Sequence, residues 1–424
     1  MALIGGGLMK KTVVLRGPVL TRSGYGEQAR FALRALRSRE DIFDIYIHPL
    51  QWGHTSWLHE DNEERKWIDA KIEQTISHVQ SGGAFDYSIQ VTIPNEWEKI
   101  AQTNIGYTAG IETTKIAHEW IQKGNEMDAI IVVSNHSKNV YENTTYEAMV
   151  EETGAPVTLK NSTPITAVNY PVKTYENLAA PELQLSTKYN FLCVAQFGPR
   201  KNLDNTIKWF LEEFKNDPDV GLVVKTNIAK NCSVDREVCY TRLLNAANQV
   251  PDHKCKVYLL HGDLTDEEMH SMYTHPKIKA ALSLTHGEGF GLPLFEAAYM
   301  GVPVVAPGWS GQLDFLCDEE GKNHFYNISF DMTPIPENVV WDGVLIKDSL
   351  WAVPREVGAK AKMRECYEAT KDGDIQTHID YAQQLSTRFS EEKMYKQFVD
   401  AMGIDEEEFN VENWLDGLDI EEID

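Results

Sequence analysis

The segment His286-Gly-Glu-Gly-Phe-Gly-Leu-Pro-Leu-Phe-Glu-Ala-Ala-Tyr-Met-Gly-Val-Pro-Val-Val-Ala-Pro307 permits few arrangements. An apolar run of strand length, residues 279–285, leads into it; Gly287, Gly289 and Gly291 form a loop, a helix follows, and a second apolar strand ends the unit. This is the order of a parallel crossover. A helix that starts behind glycines presents free backbone N–H groups and the positive end of its dipole, which together attract phosphate. Two carboxylates interrupt the apolar segment, Glu288 in the loop and Glu296 about two turns into the helix. A plain crossover needs neither, so the pattern suits a phosphorylated, hydroxyl-rich ligand.

The same unit occurs at the start of the chain. Residues 12–17 read as a strand, 18–26 as a loop containing Ser23-Gly-Tyr-Gly26, and 27–36 as a helix. Gly24 and Gly26 allow a ligand close to the backbone. Further strands at 42–49, 87–93, 104–112, 128–134 and 165–171 alternate with helices at 60–79 and 116–121. Glu112 closes one of these strands, where α/β sheets gather functional groups. Residues 173–188 are polar and suit a linker. The pattern then restarts with strands at 189–195, 220–226 and 255–261 and helices at 203–214 and 265–273, before helices at 356–370 and 375–402. A chain of 424 residues exceeds one core. The two blocks imply an α/β fold of two doubly wound domains facing across a cleft, residues 9–178 and 188–384, with the helix at about 385–402 returning to the first.

Charge narrows the partners. A formal net charge of -24 speaks against a general binder of phosphate backbones. Arg16, Arg22, Arg30, Arg34, Arg37 and Arg39 nevertheless gather near the first-domain cleft edge and leave a polyanionic acceptor open. Six cysteines without a C-x-x-C pair suit reduced thiols in the cytoplasm better than disulfides or a zinc site. No apolar run approaches the roughly 20 residues of a membrane helix, and residues 1–8 are too short for a secretory signal. Residues 403–424 hold ten acidic and no basic residues, the composition of a solvated tail. Trp414, Leu415, Leu418 and Ile420 leave a partner-docking helix as the second reading.

From Glu288 to Glu296 the chain resembles the signature of retaining glycosyltransferases of family 4, which have the GT-B fold: two carboxylates eight positions apart around Gly-Phe-Gly-Leu-Pro, followed by Gly301-Val-Pro-Val-Val-Ala306. Phe197-Gly-Pro-Arg-Lys-Asn202 is similar to the family's basic loop, and His261-Gly-Asp-Leu264 to the turn before its short acidic helix. Gly106-Tyr-Thr, Glu112, Trp120, Asp128 and Ser134 follow the first-domain pattern of one branch, and Trp351-Ala-Val-Pro and Arg388-Phe-Ser390 resemble late landmarks. The likeness runs from Thr12 to Met402.

The resemblance implies two Rossmann-like domains, a nucleotide diphosphate sugar as donor, transfer to an acceptor hydroxyl with retention, no metal site and no further cofactor. Lys201 and Arg200 would neutralise the diphosphate leaving group. Glu288 and the amides of Gly289, Phe290 and Gly291 would hold the sugar and phosphate, with Leu292 beginning the helix. Glu296 would accept hydrogen bonds from the ribose, and Thr226 would line the nucleotide site. Glu112 would orient the acceptor or transferred sugar, and Gly24 and Gly26 would approach donor phosphate or acceptor. Gln196 departs from the arginine many members carry. Asp217-Pro-Asp219 and Asp372-Gly-Asp374 spell the metal triplet of another glycosyltransferase fold, here in turn-like settings. The acceptor is left among saccharides, small molecules and a hydroxylated DNA base. The alternative is a non-catalytic nucleotide-sugar or partner-binding protein of the same fold.

Overall fold

A computed structural model describes residues 10–53, 55–149, 154–176 and 182–404. The leader, the middle of the linker and the acidic tail from residue 405 onward lie outside them.

The first lobe runs β1 (Lys11–Gly17), α1 (Gly24–Arg37), β2 (Phe43–Pro49), α2 (Glu63–Gln80), β3 (Tyr87–Val91), β4 (Thr103–Thr108), α3 (His118–Gly124), β5 (Ala129–Val132), α4 (Asn135–Asn143), a hairpin of β6 (Thr145–Met149) and β7 (Pro156–Lys160), and β8 (Ile165–Ala167). Its six-stranded sheet has the order β2-β1-β3-β4-β5-β8, all parallel. Both faces are covered, which is why Val13, Val14 and Leu15 are all buried although alternate side chains point to opposite faces.

The second lobe runs β9 (Tyr189–Val194), α5 (Leu203–Glu213), β10 (Val220–Lys225), α6 (Ser233–Ala247), β11 (Lys256–Leu260), α7 (Asp266–Tyr273), β12 (Ile278–Leu282), α8 (Leu292–Tyr299), β13 (Val304–Pro307), α9 (Leu313–Leu316) and β14 (Tyr326–Ile328). An antiparallel pair, β15 (Phe330–Pro334) and β16 (Leu350–Pro354), precedes α10 (Glu356–Thr370), α11 (Gln376–Arg388) and α12 (Glu391–Ala401). The second sheet has the order β11-β10-β9-β12-β13-β14, again parallel. The chain winds outward from β9 and returns beside it as β12. It does the same from β1 to β3 in the first lobe. Each sheet thus has a switch point where crevices open at the strands' carboxyl ends.

Several elements differ from the sequence expectation. The helix expected at 27–36 begins at Gly24, because the Ser23 hydroxyl accepts the Gly26 amide at 2.9 Å and caps it. The strand expected to end at Glu112 stops at Thr108, and Gly110 turns the chain with φ of 76°. The single helix expected over 375–402 is two, broken at Phe389, with Ser390 capping α12. Among the described residues, α4, α6 and the β6–β7 hairpin are additions. In α6 the buried positions include Asp235 while Val234 and Val238 are 71% and 41% exposed, which inverts the usual apolar pattern.

The chain crosses between the lobes near Val172 and again near Phe389, and the Val172 amide donates to the Phe389 carbonyl at 2.8 Å. Beyond the second crossing, α12 packs on α1, with Phe398 at ring-centroid distances of 5.5 Å from Phe31 and 5.2 Å from Tyr107. Among the described residues no helix is long and apolar enough to cross a membrane.

Candidate active site

Two loops meet at the second lobe's switch point, one after β9 and one after β12. The first contains a short 3-10 turn, Pro199–Lys201, ended by Asn202 in the left-handed conformation with φ of 53°. The Asn202 side chain donates to the Leu284 carbonyl at 3.1 Å, and the His286 amide donates to the Arg200 carbonyl at 2.8 Å. The loops are therefore tied backbone to backbone. His286 is in turn held by its Nδ1 contact of 2.8 Å with the Ala352 carbonyl and by stacking on Trp351 at 4.4 Å.

Glu288 sits where the loops converge and is only 8% exposed. Lys201 Nζ donates to both its carboxylate oxygens, at 2.6 and 2.8 Å, and Arg200 Nη1 donates to one of them at 3.0 Å and to the Gly287 carbonyl at 2.6 Å. Burial alone would raise the Glu288 pKa, but Lys201 and then Arg200 hold it down at about 2. Arg200 also reaches across the cleft: its Nη2 lies 3.1 Å from Glu112 Oε1 of the first lobe. The structure thus brings Glu112, Arg200, Lys201 and Glu288 into one cluster of two cations and two anions. Glu112 pairs with neither His118 nor Lys115. Cations at a helix start call for an anion, and here Glu288 itself is that anion.

The glycines serve a purpose that their phosphate reading did not include. A Cβ on Gly287 would lie 2.4 Å from the Glu112 carbonyl oxygen, and one on Gly289 would lie 2.4 Å from that of Ala109. Both positions press against first-lobe backbone. Gly291, with φ of 100°, starts α8, and no side chain caps that terminus; Pro293 occupies its first turn, where a missing N–H costs nothing. The Phe290 ring belongs to the core, 5.1 Å from Tyr170 and 4.9 Å from Phe315, so only its backbone faces the loop interior. A cavity of about 10 Å³, roughly one water's worth, is lined by Lys201, Tyr273, Glu288, Gly291 and Pro293.

Glu296, one helix face further in, accepts from the Tyr273 hydroxyl at 3.1 Å. Burial pushes its carboxyl up to about 7, against the pull of Lys173. Lys173 bridges the lobes, 2.6 Å from Glu27 Oε1 on α1 and 3.2 Å from Asp266 Oδ2 on α7. Thr226, buried at the end of β10, donates its amide to Leu260 and stands outside the cluster. Leu292 is the first residue of α8. Gly26 is explained by its own turn, since a Cβ there would strike the Thr21 carbonyl at 2.0 Å, whereas Gly24 faces open space. Gln196 is exposed and donates to the Ile228 carbonyl.

Of the six arginines near the cleft edge, five have polar partners and Arg37 lies over the Trp67 ring at 4.9 Å. Arg30 and Arg34 bind Glu27, Arg34 also binds Glu64, Arg22 binds Glu60, Arg39 binds Asp41, and Arg16 donates to the Glu96 carbonyl. Asp217 and Asp219 pair with Arg364 and Lys188 in a turn, and Asp372 and Asp374 flank Gly373 in another, with φ of 90°. One cluster that sequence reasoning missed is Asp235, Cys239 and His261, whose ligand atoms lie within 4.8 Å of one another. Asp235 accepts the amides of Ile228, Ala229 and Lys230, the Cys239 thiol and His261 Nε2 at 2.9 Å, so it clasps the loop after β10. Its i, i+4 spacing to Cys239 was the available signal.

Residues 176–328 match the family described as Glycosyl transferases group 1. That stretch is a glycosyltransferase domain. Sucrose-phosphate synthase from Thermosynechococcus elongatus superposes with a TM-score of 0.59 at 12% identity, over 92% of this chain and 98% of that one. Anabaena HepE in complex with UDP-glucose gives 0.57 at 11% identity, over 93% and 99%. The E. coli trehalose-6-phosphate structure bound with UDP-2-fluoro glucose gives 0.55 at 10% identity, over 93% and 99%. These likenesses establish the fold, GT-B. The chain spans 55% of the length of S. aureus TarM, matched at a TM-score of 0.45 and 15% identity. No curated protein sequence matches it.

Proposed function

We propose that the protein moves a sugar from a nucleotide diphosphate sugar to an acceptor hydroxyl, with retention of configuration and without a metal ion. The observation that carries this reading is the convergence of Arg200 and Lys201 on Glu288, beside the uncapped start of α8, at the second lobe's switch point. In the closed arrangement the cluster is neutral. Parting the lobes withdraws Glu112, and two cations then face one carboxylate. The second lobe alone therefore offers a net positive crevice to a diphosphate, and closure returns Glu112 to the reacting end.

In the proposed reaction the bond between sugar C1 and the diphosphate oxygen breaks while a bond to the acceptor oxygen forms on the same face. The acceptor proton passes to the departing phosphate oxygen, so no protein nucleophile is needed. Charge grows on the diphosphate, and Arg200, Lys201 and the α8 amides stabilise it more as it grows. Glu296, once ionised, accepts the ribose hydroxyls. The UDP-sugars in HepE and in the trehalose-6-phosphate structure support a uridine nucleotide as the first donor to test. The six cysteines are all free thiols, which supports a reducing compartment such as the cytoplasm.

Calorimetric titration with UDP and UDP-glucose, with and without a chelator, tests the reading. Binding that survives the chelator and is lost in Lys201→Ala is expected. Full affinity in that variant would sink the site, and dependence on a divalent ion would sink the metal-free mechanism. One observation favours a second reading: Gln196 spends its amide on Ile228 rather than facing the crevice, as a binding protein without catalysis would permit. Hydrolysis of UDP-glucose in the absence of acceptor distinguishes the two.

A further inference from the structure

Outside the candidate donor site, the second lobe holds another polar cluster. Asp235 and Cys239 stand one turn apart on the inner face of α6, and His261 follows β11. Cys239 is fully buried, and the side chains of Asp235 and His261 are only 6% and 4% exposed. The Cys239 thiol reaches Asp235 Oδ1 at 3.4 Å, His261 Nε2 reaches the same oxygen at 2.9 Å, and the three ligand atoms all lie within 4.8 Å of one another. Clasping the loop after β10 accounts for the carboxylate, which takes the amides of Ile228, Ala229 and Lys230. It accounts for neither partner: a thiol is a weak donor that a serine hydroxyl would surpass, and the clasp is complete without an imidazole. The same loop holds a buried acceptor without a hydrogen-bond partner, Asn231 Oδ1, while Asn231 Nδ2 donates to Asp263, two residues past His261.

A buried thiol, imidazole and carboxylate together are the donor set of a borderline-soft cation. A tetrahedral zinc, with bonds of about 2.3 Å to sulfur and about 2.0–2.1 Å to nitrogen and oxygen, holds its ligand atoms about 3.3–3.6 Å apart, so side-chain shifts of about 1 Å bring the three into register. We propose that Asp235, Cys239 and His261 form a zinc site, with the Asn231 carboxamide oxygen at the fourth position. On binding, the thiol proton leaves to solvent and His261 coordinates through Nε2 with its ring proton on Nδ1. Asp235 keeps the amides of Ala229 and Lys230 on Oδ2 and offers Oδ1. Thiolate and carboxylate balance the two charges of the ion. Among the described residues none of the three bonds to Arg200, Lys201 or Glu288, so the ion is structural and takes no part in sugar transfer. Its influence passes through the backbone: the clasped loop accepts the Phe197 amide at the Asn227 carbonyl, 2.9 Å away, and the Gln196 side chain at Ile228, in the segment that leads to Arg200 and Lys201.

Cobalt(II), which takes the place of zinc and reports its ligands by absorption, tests the site on the full chain after metal removal. One ion per chain is expected, with a near-ultraviolet thiolate-to-cobalt band and the visible bands of four-coordinate cobalt. Excess zinc should abolish both and raise the melting temperature by a shift that grows with zinc concentration. In Cys239→Ser the thiolate band should vanish and zinc affinity, measured by competition, should fall by at least about a hundredfold. His261→Gln should weaken binding to a similar degree and keep the thiolate band, and Cys232→Ser, which removes an exposed thiol, should change nothing. No thiolate band in the parent protein, a band that persists in Cys239→Ser or is lost in Cys232→Ser, or a melting temperature indifferent to zinc would overturn the proposal. If Cys239→Ser fails to fold, the parent band and the titrations of His261→Gln and Cys232→Ser decide.

Discussion

Both lobes contain a strand, a glycine-bearing loop and a helix, yet the two turns are finished differently. In the first, Ser23 caps α1, Gly26 is consumed by Thr21, and Glu27 in the first helical turn is neutralised by Lys173, Arg30 and Arg34. In the second, Gly291 starts α8 without a side-chain cap, and Arg200 and Lys201 stand before it with Glu288. One turn caps its helix with its own side chain, whereas the other pairs its charges with one another and leaves the α8 terminus without a side-chain cap. A glycine loop therefore marks a site only when the groups around it are left unfinished.

The largest break in that contrast is expected from Lys201→Ala. Removing one cation from a leaving-group site typically costs about 10² to 10³ in turnover, and steady-state kinetics with UDP-glucose should show this with the circular dichroism unchanged. Gly289→Ala comes next. Its new methyl would strike the Ala109 carbonyl, so the lobes should fail to close, lowering kcat by at least about tenfold while UDP affinity, measured by calorimetry, stays near the parent value.

The Glu296 carboxyl provides the third test. Its folded pKa of about 7 is raised by burial, so ionising it opposes folding: that part of stability is fully present below the ordinary glutamate pKa and is lost as pH rises through about 7. Donor affinity should run the opposite way and strengthen over that interval, because the ribose needs an acceptor. Glu296→Gln should raise the melting temperature at pH 8, flatten the pH dependence and weaken UDP binding at pH 8. A parallel fall in stability and affinity would refute this account. The smallest effect belongs to the self-contained turn: Ser23→Ala should cost about 1 kcal/mol of stability in chemical denaturation and leave UDP affinity untouched.

Most of the architecture was legible because the strands are buried on both faces and read as continuous apolar runs, and because the glycine loops punctuate them. The exceptions share a cause. In α6 a polar side chain goes inward to bind backbone and histidine, while valines face outward, so hydrophobic spacing points to the wrong face. The break at Ser390 was obscured because apolar spacing continues through Phe389 on both sides of it. At the site, the resemblance named the four clustered residues, but not that Glu112 would meet Arg200 across the cleft, nor that Gly287 and Gly289 would answer to Glu112 and Ala109. Those relations join positions more than 80 residues apart in sequence, and neither composition nor periodicity encodes them.

The bond between Val172 and Phe389 has a mechanical consequence. The polypeptide passes from lobe to lobe at two places, and these are pinned together, so the pair behaves as a single axle rather than as two independent tethers. A rotation centred on it would leave that hydrogen bond intact while parting contacts farther out, such as Arg200 with Glu112 and Asn135 with Asp314. Any hinge motion centred there would carry Glu112 toward or away from Arg200 along a single arc.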